Sequence, residues 1–246
     1  MANFEKIVQI SFNWEGGYSA YSNDSASWCD NKLIGTNRGI SAIAYKGYYG
    51  YCPTVAQLKA LTEDQAKAIY KKLFWDKLQL DHVKNDSVAQ MMFQYIIGSG
   101  ASQISDLKAI ANDTAGQKLF IENDVPFTVD QAEEINGLNQ HKYFDNLQQW
   151  RLAFFDRLVA SNPSLKMYLQ GWRNRTLSYH YEGSIGIDKL LLISGAITVL
   201  IFLALLKSKK LTMTQKIALS LSAGVITYTG VKIYDNYKNN NFKQAA

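Results

Sequence analysis

A glutamate, two glycines and a tyrosine, Glu15-Gly16-Gly17-Tyr18, follow a short apolar-periodic stretch. Phe4, Ile7, Val8, Ser11 and Phe12 recur at helical spacing over residues 4–14, and Asn3 suits an N-cap. Glu15 is therefore expected at the C-terminal end of a helix. The helix dipole places partial negative charge there, which disfavours a carboxylate and favours the protonated acid. Phe12 and Trp14 add desolvation in the same direction. A carboxylic acid that keeps its proton until it meets a leaving oxygen is what cleavage of a glycosidic bond needs. Gly16 and Gly17 allow a tight turn and leave room for a bulky sugar, and Tyr18 offers a ring to stack and a hydroxyl to bond. The plainer alternative is a solvated last-turn glutamate before an ordinary glycine stop.

Such chemistry needs a second group. A base that activates water stands roughly 6.5–9.5 Å from the acid, whereas a covalent nucleophile stands nearer ~5 Å. Asp24 is the first candidate and Asp30 the second, with Thr36 or Ser41 as alternatives that position the water. Asp24 also reads as a turn cap in Asn23-Asp24-Ser25. Tyr45, Tyr48, Tyr49 and Tyr51 either line a sugar cleft or cover a packed loop. Cys29 and Cys52 are either bridged, which stabilises by roughly 3 kcal/mol, or two reduced thiols. His82, His141 and His180 are scattered without metal-site spacing, so a zinc site is not expected, and acid–base cleavage of a glycoside implies no metal or organic cofactor.

The elements that must hold these residues are mostly helical. Residues 16–54 are rich in Gly, Ser, Asn and Tyr and lack sustained periodicity, a length of irregular chain that usually carries function. Thr62-x-x-Gln65 is a capping box opening a helix over 62–77, with Ala66, Ile69, Tyr70, Leu73 and Phe74 on one face. An apolar helix is predicted over 87–97, stopped by Gly98 and Gly100, and a short one over 102–111. Thr128-x-x-Gln131 caps a helix over 129–136. Residues 140–160 are amphipathic through Phe144, Leu147, Trp150, Phe154 and Leu158. Asn162-Pro163 then starts a helix carrying Leu165, Leu169, Trp172 and Leu177, with Trp150 and Trp172 on apolar faces.

The end of the chain differs. Residues 1–184 hold 18 Lys and Arg against 19 Asp and Glu, while residues 185–246 hold 8 Lys against 2 Asp, so the net charge of +5 belongs to the tail. No basic patch with interleaved aromatics appears in the larger part, which argues against nucleic acid as a partner. Leu190–Leu206 and Ile217–Val231 are uncharged runs of 17 and 15 residues. As helices they extend about 25 Å and about 22 Å, near the lower limit for a ~30 Å hydrocarbon core. They are expected to form a two-helix membrane hairpin, the alternative being a buried or amphipathic pair. No signal peptide is expected at Met1–Glu5.

Taken in order, several segments resemble the glycoside hydrolase 108 family of N-acetylmuramidases. Glu15-Gly16-Gly17-Tyr18 looks like its signature. Ser22-Asn23-Asp24 resembles its Asn-Asp element, and Thr36-Asn37-Arg38-Gly39-Ile40-Ser41 resembles its Asn-Tyr-Gly-Ile-Thr element. Leu61 through Ala66 with Ile69, Tyr70 and Trp75 resembles its next helix. Arg151 through Pro163 and Leu169 through Arg175 look like the end of a joined peptidoglycan-binding region. The resemblance covers roughly 1–178. Residues 24–32 are longer than the family's usual connection and contain a cysteine, Arg38 stands where Tyr is common, and 98–126 match poorly.

The resemblance implies a lysozyme-like helical fold that hydrolyses peptidoglycan, with Glu15 as its acid. The second catalytic group stays with Asp24, and substrate contacts with Tyr18, Asn23, Thr36, Ser41 and Tyr45. The expected organisation is a catalytic domain over 1–112, a peptidoglycan-binding-like subdomain over 113–184, a transmembrane hairpin over 185–235 and a disordered tail over 236–246. The expected partners are glycan strands, a lipid membrane and an assembly with other membrane or virion proteins. Three settings fit: a phage enzyme anchored in a membrane, an inactive virion component, and a bacterial envelope-remodelling protein.

Overall fold

Two helices at the heart of the molecule explain why the rest can close around them. The computed structural model describes residues 1–99 and 103–182. Helix α5 (Asp86–Ser99) is buried around most of its surface: Val88, Ala89, Met91, Met92, Phe93, Tyr95 and Ile96 are all fully buried, as is the polar Gln94. Helix α8 (Gln140–Ser161) packs along α5, α6 (Ile104–Ala115) and α9 (Lys166–Leu177). The buried phenols are satisfied, Tyr95 donating to Asp106 at 2.8 Å and Tyr143 to the carbonyl of Leu107 at 3.1 Å. Helix α1 (Phe4–Phe12) lays Ile7, Val8 and Ser11 against this centre.

Local chemistry starts most of these helices where expected. Asn3 accepts from the amide of Lys6 to cap α1. Full capping boxes open α4 (Glu63–Tyr70) at Thr62 and Gln65, and α7 (Val129–Ile135) at Thr128 and Gln131. Asn162 caps the short 3-10 turn Pro163–Leu165 that leads into α9.

The predicted 62–77 helix does not run straight. After Tyr70 it widens into a π turn over Lys71–Trp75 and then tightens into a 3-10 turn over Asp76–Leu78. At this break Trp75 is fully buried, edge-on to Phe4 and Phe93, with its indole donating to Asp81 at 2.8 Å. Burial of that large ring outweighs regular helix geometry.

The stretch expected to be irregular, 16–54, holds more order than its composition implies. Strands β1 (Trp28–Cys29) and β2 (Lys32–Leu33) pair antiparallel, as do β3 (Thr36–Asn37) and β4 (Ile40–Ser41). Their turns are left-handed, with φ of 47° and 61° at Asp30 and Asn31 and of 51° and 72° at Arg38 and Gly39. Helices α2 (Ala42–Tyr49) and α3 (Val55–Lys59) follow, α3 opened by a third capping box, Thr54 and Gln57. Cys29 and Cys52 form a disulfide that ties β1 to the chain just after α2. The two cysteine readings thus resolve to the bridged one.

The domain is mostly helical. No helix among the described residues is long and apolar enough to cross a membrane, and the predicted hairpin at 185–235 lies outside the described residues.

Candidate active site

Helix α1 ends three residues before Glu15. Asn13 closes it, and the amides of Trp14 and Glu15 bond back to Ser11 and Phe12, tightening the exit. Glu15 is thus presented from a turn just beyond the helix. Gly16 and Gly17 follow in ordinary backbone conformations, and a β-carbon at either would meet no atom within 4 Å. Their contribution is open space in front of Glu15, not the special turn geometry expected of them.

Facing them is the β3–β4 turn. Gly39 is the residue that permits the approach. A β-carbon there would lie 2.8 Å from Cδ of Glu15 and 2.9 Å from its Cγ, and would also strike the Tyr70 hydroxyl. Together these pieces enclose a cleft of about 290 Å³. Phe12, Glu15, Gly16 and Gly17 form one wall, and Asn37, Arg38, Lys59 and Leu61 the other. Asn37 donates its amide to the carbonyls of Leu58 and Lys59, at 2.9 and 3.1 Å, which fixes the end of α3 to β3. Arg38 donates Nε to the carbonyl of Leu61 at 3.1 Å. Glu15 is the one acidic residue in this lining, set against two cations.

Glu15 has a partner that its neighbourhood in sequence does not contain. Oε1 accepts from Nη1 of Arg175 at 2.7 Å, both side chains being about four-fifths buried (22% and 19% exposed). Arg175 also donates Nη2 to Oε1 of Gln94 at 3.0 Å and Nε to the Tyr179 hydroxyl at 3.1 Å. Burial alone would loosen the proton of this guanidinium, but Tyr179 and Glu15 more than offset it, so Arg175 is held as a cation. Tyr70 stays a neutral phenol, its hydroxyl pushed up first by burial and then by the charge of Glu15. The surroundings expected for Glu15, a helix end and apolar flanks, are therefore corrected: an ion pair dominates them.

The other residues singled out in the sequence stand apart from this cleft lining. Tyr18 donates its hydroxyl to the carbonyl of Ile34 at 2.8 Å, and the Lys59 ammonium lies 4.5 Å from its ring centre. Asn23 is exposed in a turn. Asp24 caps the 3-10 turn Ser25–Ser27, accepting from the amide of Ala26 at 3.1 Å and the hydroxyl of Ser27 at 2.6 Å. Thr36 meets the same Ser27 hydroxyl at 3.3 Å. Ser41 caps α2 through the amide of Ala44. Asp30 pairs with Lys46 at 2.8 Å on the surface. Tyr45 is buried in a ring cluster with Tyr49 and Tyr51, and burial followed by the Tyr51 contact pushes its phenol up to about 12. Asn37 and Arg38 sit inside a motif the sequence displays. Leu61 opens another such segment, whereas Lys59 and Gln94 have no local signal.

Residues 8–100 match the family model described as Glycosyl hydrolase 108. The chain carries a glycoside hydrolase domain. The match spans Glu15 and every other residue of the cleft lining, together with Gln94, while Arg175 lies beyond it. No curated protein matches the chain. Among solved structures, the glycoside hydrolase is similar to "Structure of Brucella abortus SagA", at 22% identity and a TM-score of 0.54. That likeness covers 74% of this chain and 98% of the other, and it extends the shared fold past the matched segment.

Proposed function

We propose that this glycoside hydrolase cleaves the MurNAc–GlcNAc bond of peptidoglycan, with Glu15 as general acid. The observation that carries the reading is a single partly buried carboxylate in a cleft otherwise lined by apolar, amide and cationic groups. In this reading Glu15 passes its proton to the glycosidic oxygen as the bond to the anomeric carbon breaks, and the leaving sugar departs as an alcohol. Water adds to the anomeric carbon and loses its proton to a base. A lining with one carboxylate supports direct attack by water over a covalent intermediate, because the latter needs a second carboxylate about 5 Å away. Asp24 stays the first candidate for the base; it would have to exchange its capping bonds for the water.

Arg38 and Lys59 supply positive charge where an anionic, peptide-bearing glycan would lie. The uncharged runs at 190–206 and 217–231, with lysines between and around them, support a domain held beside a membrane. A phage enzyme acting in host lysis or in wall penetration is the setting this arrangement fits.

Release of reducing sugar from purified peptidoglycan tests the reading in the full chain. Glu15→Gln should lower the rate by about 1,000-fold or more, since it removes the proton donor and keeps the shape. Equal rates for the two proteins would overturn the assignment. Extraction of the full chain from membranes only with detergent is expected; ready release by salt alone would count against the anchor.

A further inference from the structure

The segment matched by the glycosidase family ends at residue 100, yet the ionic partner of Glu15 comes from the last described helix. We propose that Arg175 is a positioning residue for Glu15, so that α9 completes a site whose walls lie within residues 8–100. This rests on the reading of Glu15 as the acid.

The geometry is that of a fixed device. Three partners on three segments hold the Arg175 fork: Glu15 after α1, Gln94 on α5 and Tyr179 after α9. Gln94 is itself pinned. Its amide donates to the Ser11 hydroxyl at 2.6 Å, and its backbone carbonyl accepts from the buried Arg151. Arg151 in turn donates Nε to Thr176 at 3.2 Å, beside Arg175 in sequence. Burial first, and Arg175 to a lesser extent, push the pKa of Arg151 down to about 10. A planar fork whose other donors are held by Gln94 and Tyr179 presents Nη1 to Oε1 of Glu15 from a fixed direction, which an ammonium on a flexible stem does not. With Oε1 taken by Arg175, Oε2 is the oxygen left to exchange a proton with substrate. When Glu15 releases that proton, Arg175 already faces the new negative charge.

The groups facing Glu15 are Arg175 and Tyr179 from the C-terminal end, Tyr70 from α4, and Arg38 and Lys59 from the cleft. Arg175 is the cation in direct contact.

The test uses the full chain with Arg175→Met, Arg175→Lys, Tyr179→Phe and Glu15→Gln, each checked for folding by thermal melting. Arg175→Met should lower kcat by about tenfold and change KM by less than about threefold. Arg175→Lys should return only part of kcat, separating charge from geometry. Tyr179→Phe removes one of the three holds and should cost about threefold in kcat. If Arg175→Met melts too low to assay, the lysine and phenylalanine variants decide alone. An unchanged kcat in every folded variant would overturn the proposal, as would a kcat that rises, which would make the ion pair a restraint. A fully active Glu15→Gln would instead overturn the functional reading itself.

Discussion

Residues 8–100 and the C-terminal helices α8 and α9 reach the same carboxylate by opposite means. The first region uses short pieces: a tightened helix exit, two open glycines and a two-residue ribbon turned through left-handed Arg38 and Gly39. Its backbone itself approaches Glu15. The second region uses regular helices that stay at a distance and extend one long side chain. A loop-built wall has close contacts and little slack. A helix-built contact depends on how firmly the helix is packed, because Arg175 reaches across from α9 to a turn 160 residues earlier.

The largest effect is expected where the first region has least slack. Gly39→Ala places a β-carbon within 3 Å of the Glu15 side chain and against the Tyr70 hydroxyl, at a φ of 72°. The left-handed conformation alone costs a non-glycine residue about 1–2 kcal/mol. Displacing the carboxylate by even about 1 Å should lower kcat by about 100-fold. Reducing-sugar release alongside a melting curve separates the two effects. A variant that loses stability but keeps its rate would show that the wall yields and that the contrast between the regions is wrong.

A smaller and different effect follows from the bridge between Cys29 and Cys52. It closes a loop spanning 23 positions that runs from the end of β1 and contains β2, the β3–β4 ribbon and α2. Replacing both cysteines by serine should destabilise by about 3 kcal/mol through the freed unfolded chain. The expected rate loss at low temperature is modest, because Glu15 and Arg175 lie outside the loop. Melting with and without reductant measures it. An unchanged melting temperature would mean that the ribbons are held by packing alone.

The same division explains what could be read from the amino acids. α1, α5, α7 and α8 carry apolar spacing or a capping box and lie close to the stretches expected of them, while α4 starts at its capping box and ends at Tyr70, short of 77. α2 leaves little trace in the sequence because Ala42–Tyr49 mixes tyrosines, a lysine and Gly47 without a clean stripe, and its cap, Ser41, equally suits a substrate contact. Glu15, which lines the cleft, stands out in the sequence because glycines beside an acid are a local pattern. Asp24, Thr36 and Ser41 look alike as catalytic groups and as turn caps, since both roles need a short polar side chain near backbone amides. Arg175 stood in a visible motif, Gly171-Trp172-Arg173-Asn174-Arg175, but an ion pair made across the fold leaves no spacing to read.

Trp172 gives the finest probe of the second region. It lies one turn before Arg175 on α9, stacks on Phe155 of α8 at 5.1 Å and on Tyr168 at 5.8 Å, and does not touch Glu15. Each aromatic pair stabilises by about 0.5–1.5 kcal/mol beyond its buried area, so Trp172→Ala should cost about 2 kcal/mol. If α9 positions Arg175 through packing, the loosened helix should also lower kcat by about threefold with KM unchanged. The loss should disappear in an Arg175→Met background, where there is no fork left to misplace. A double-mutant cycle of kcat measures that coupling directly. Additive losses would mean that Trp172 stabilises the helices without setting the site, and that the C-terminal region reaches Glu15 through Arg175 independently of how α9 is anchored.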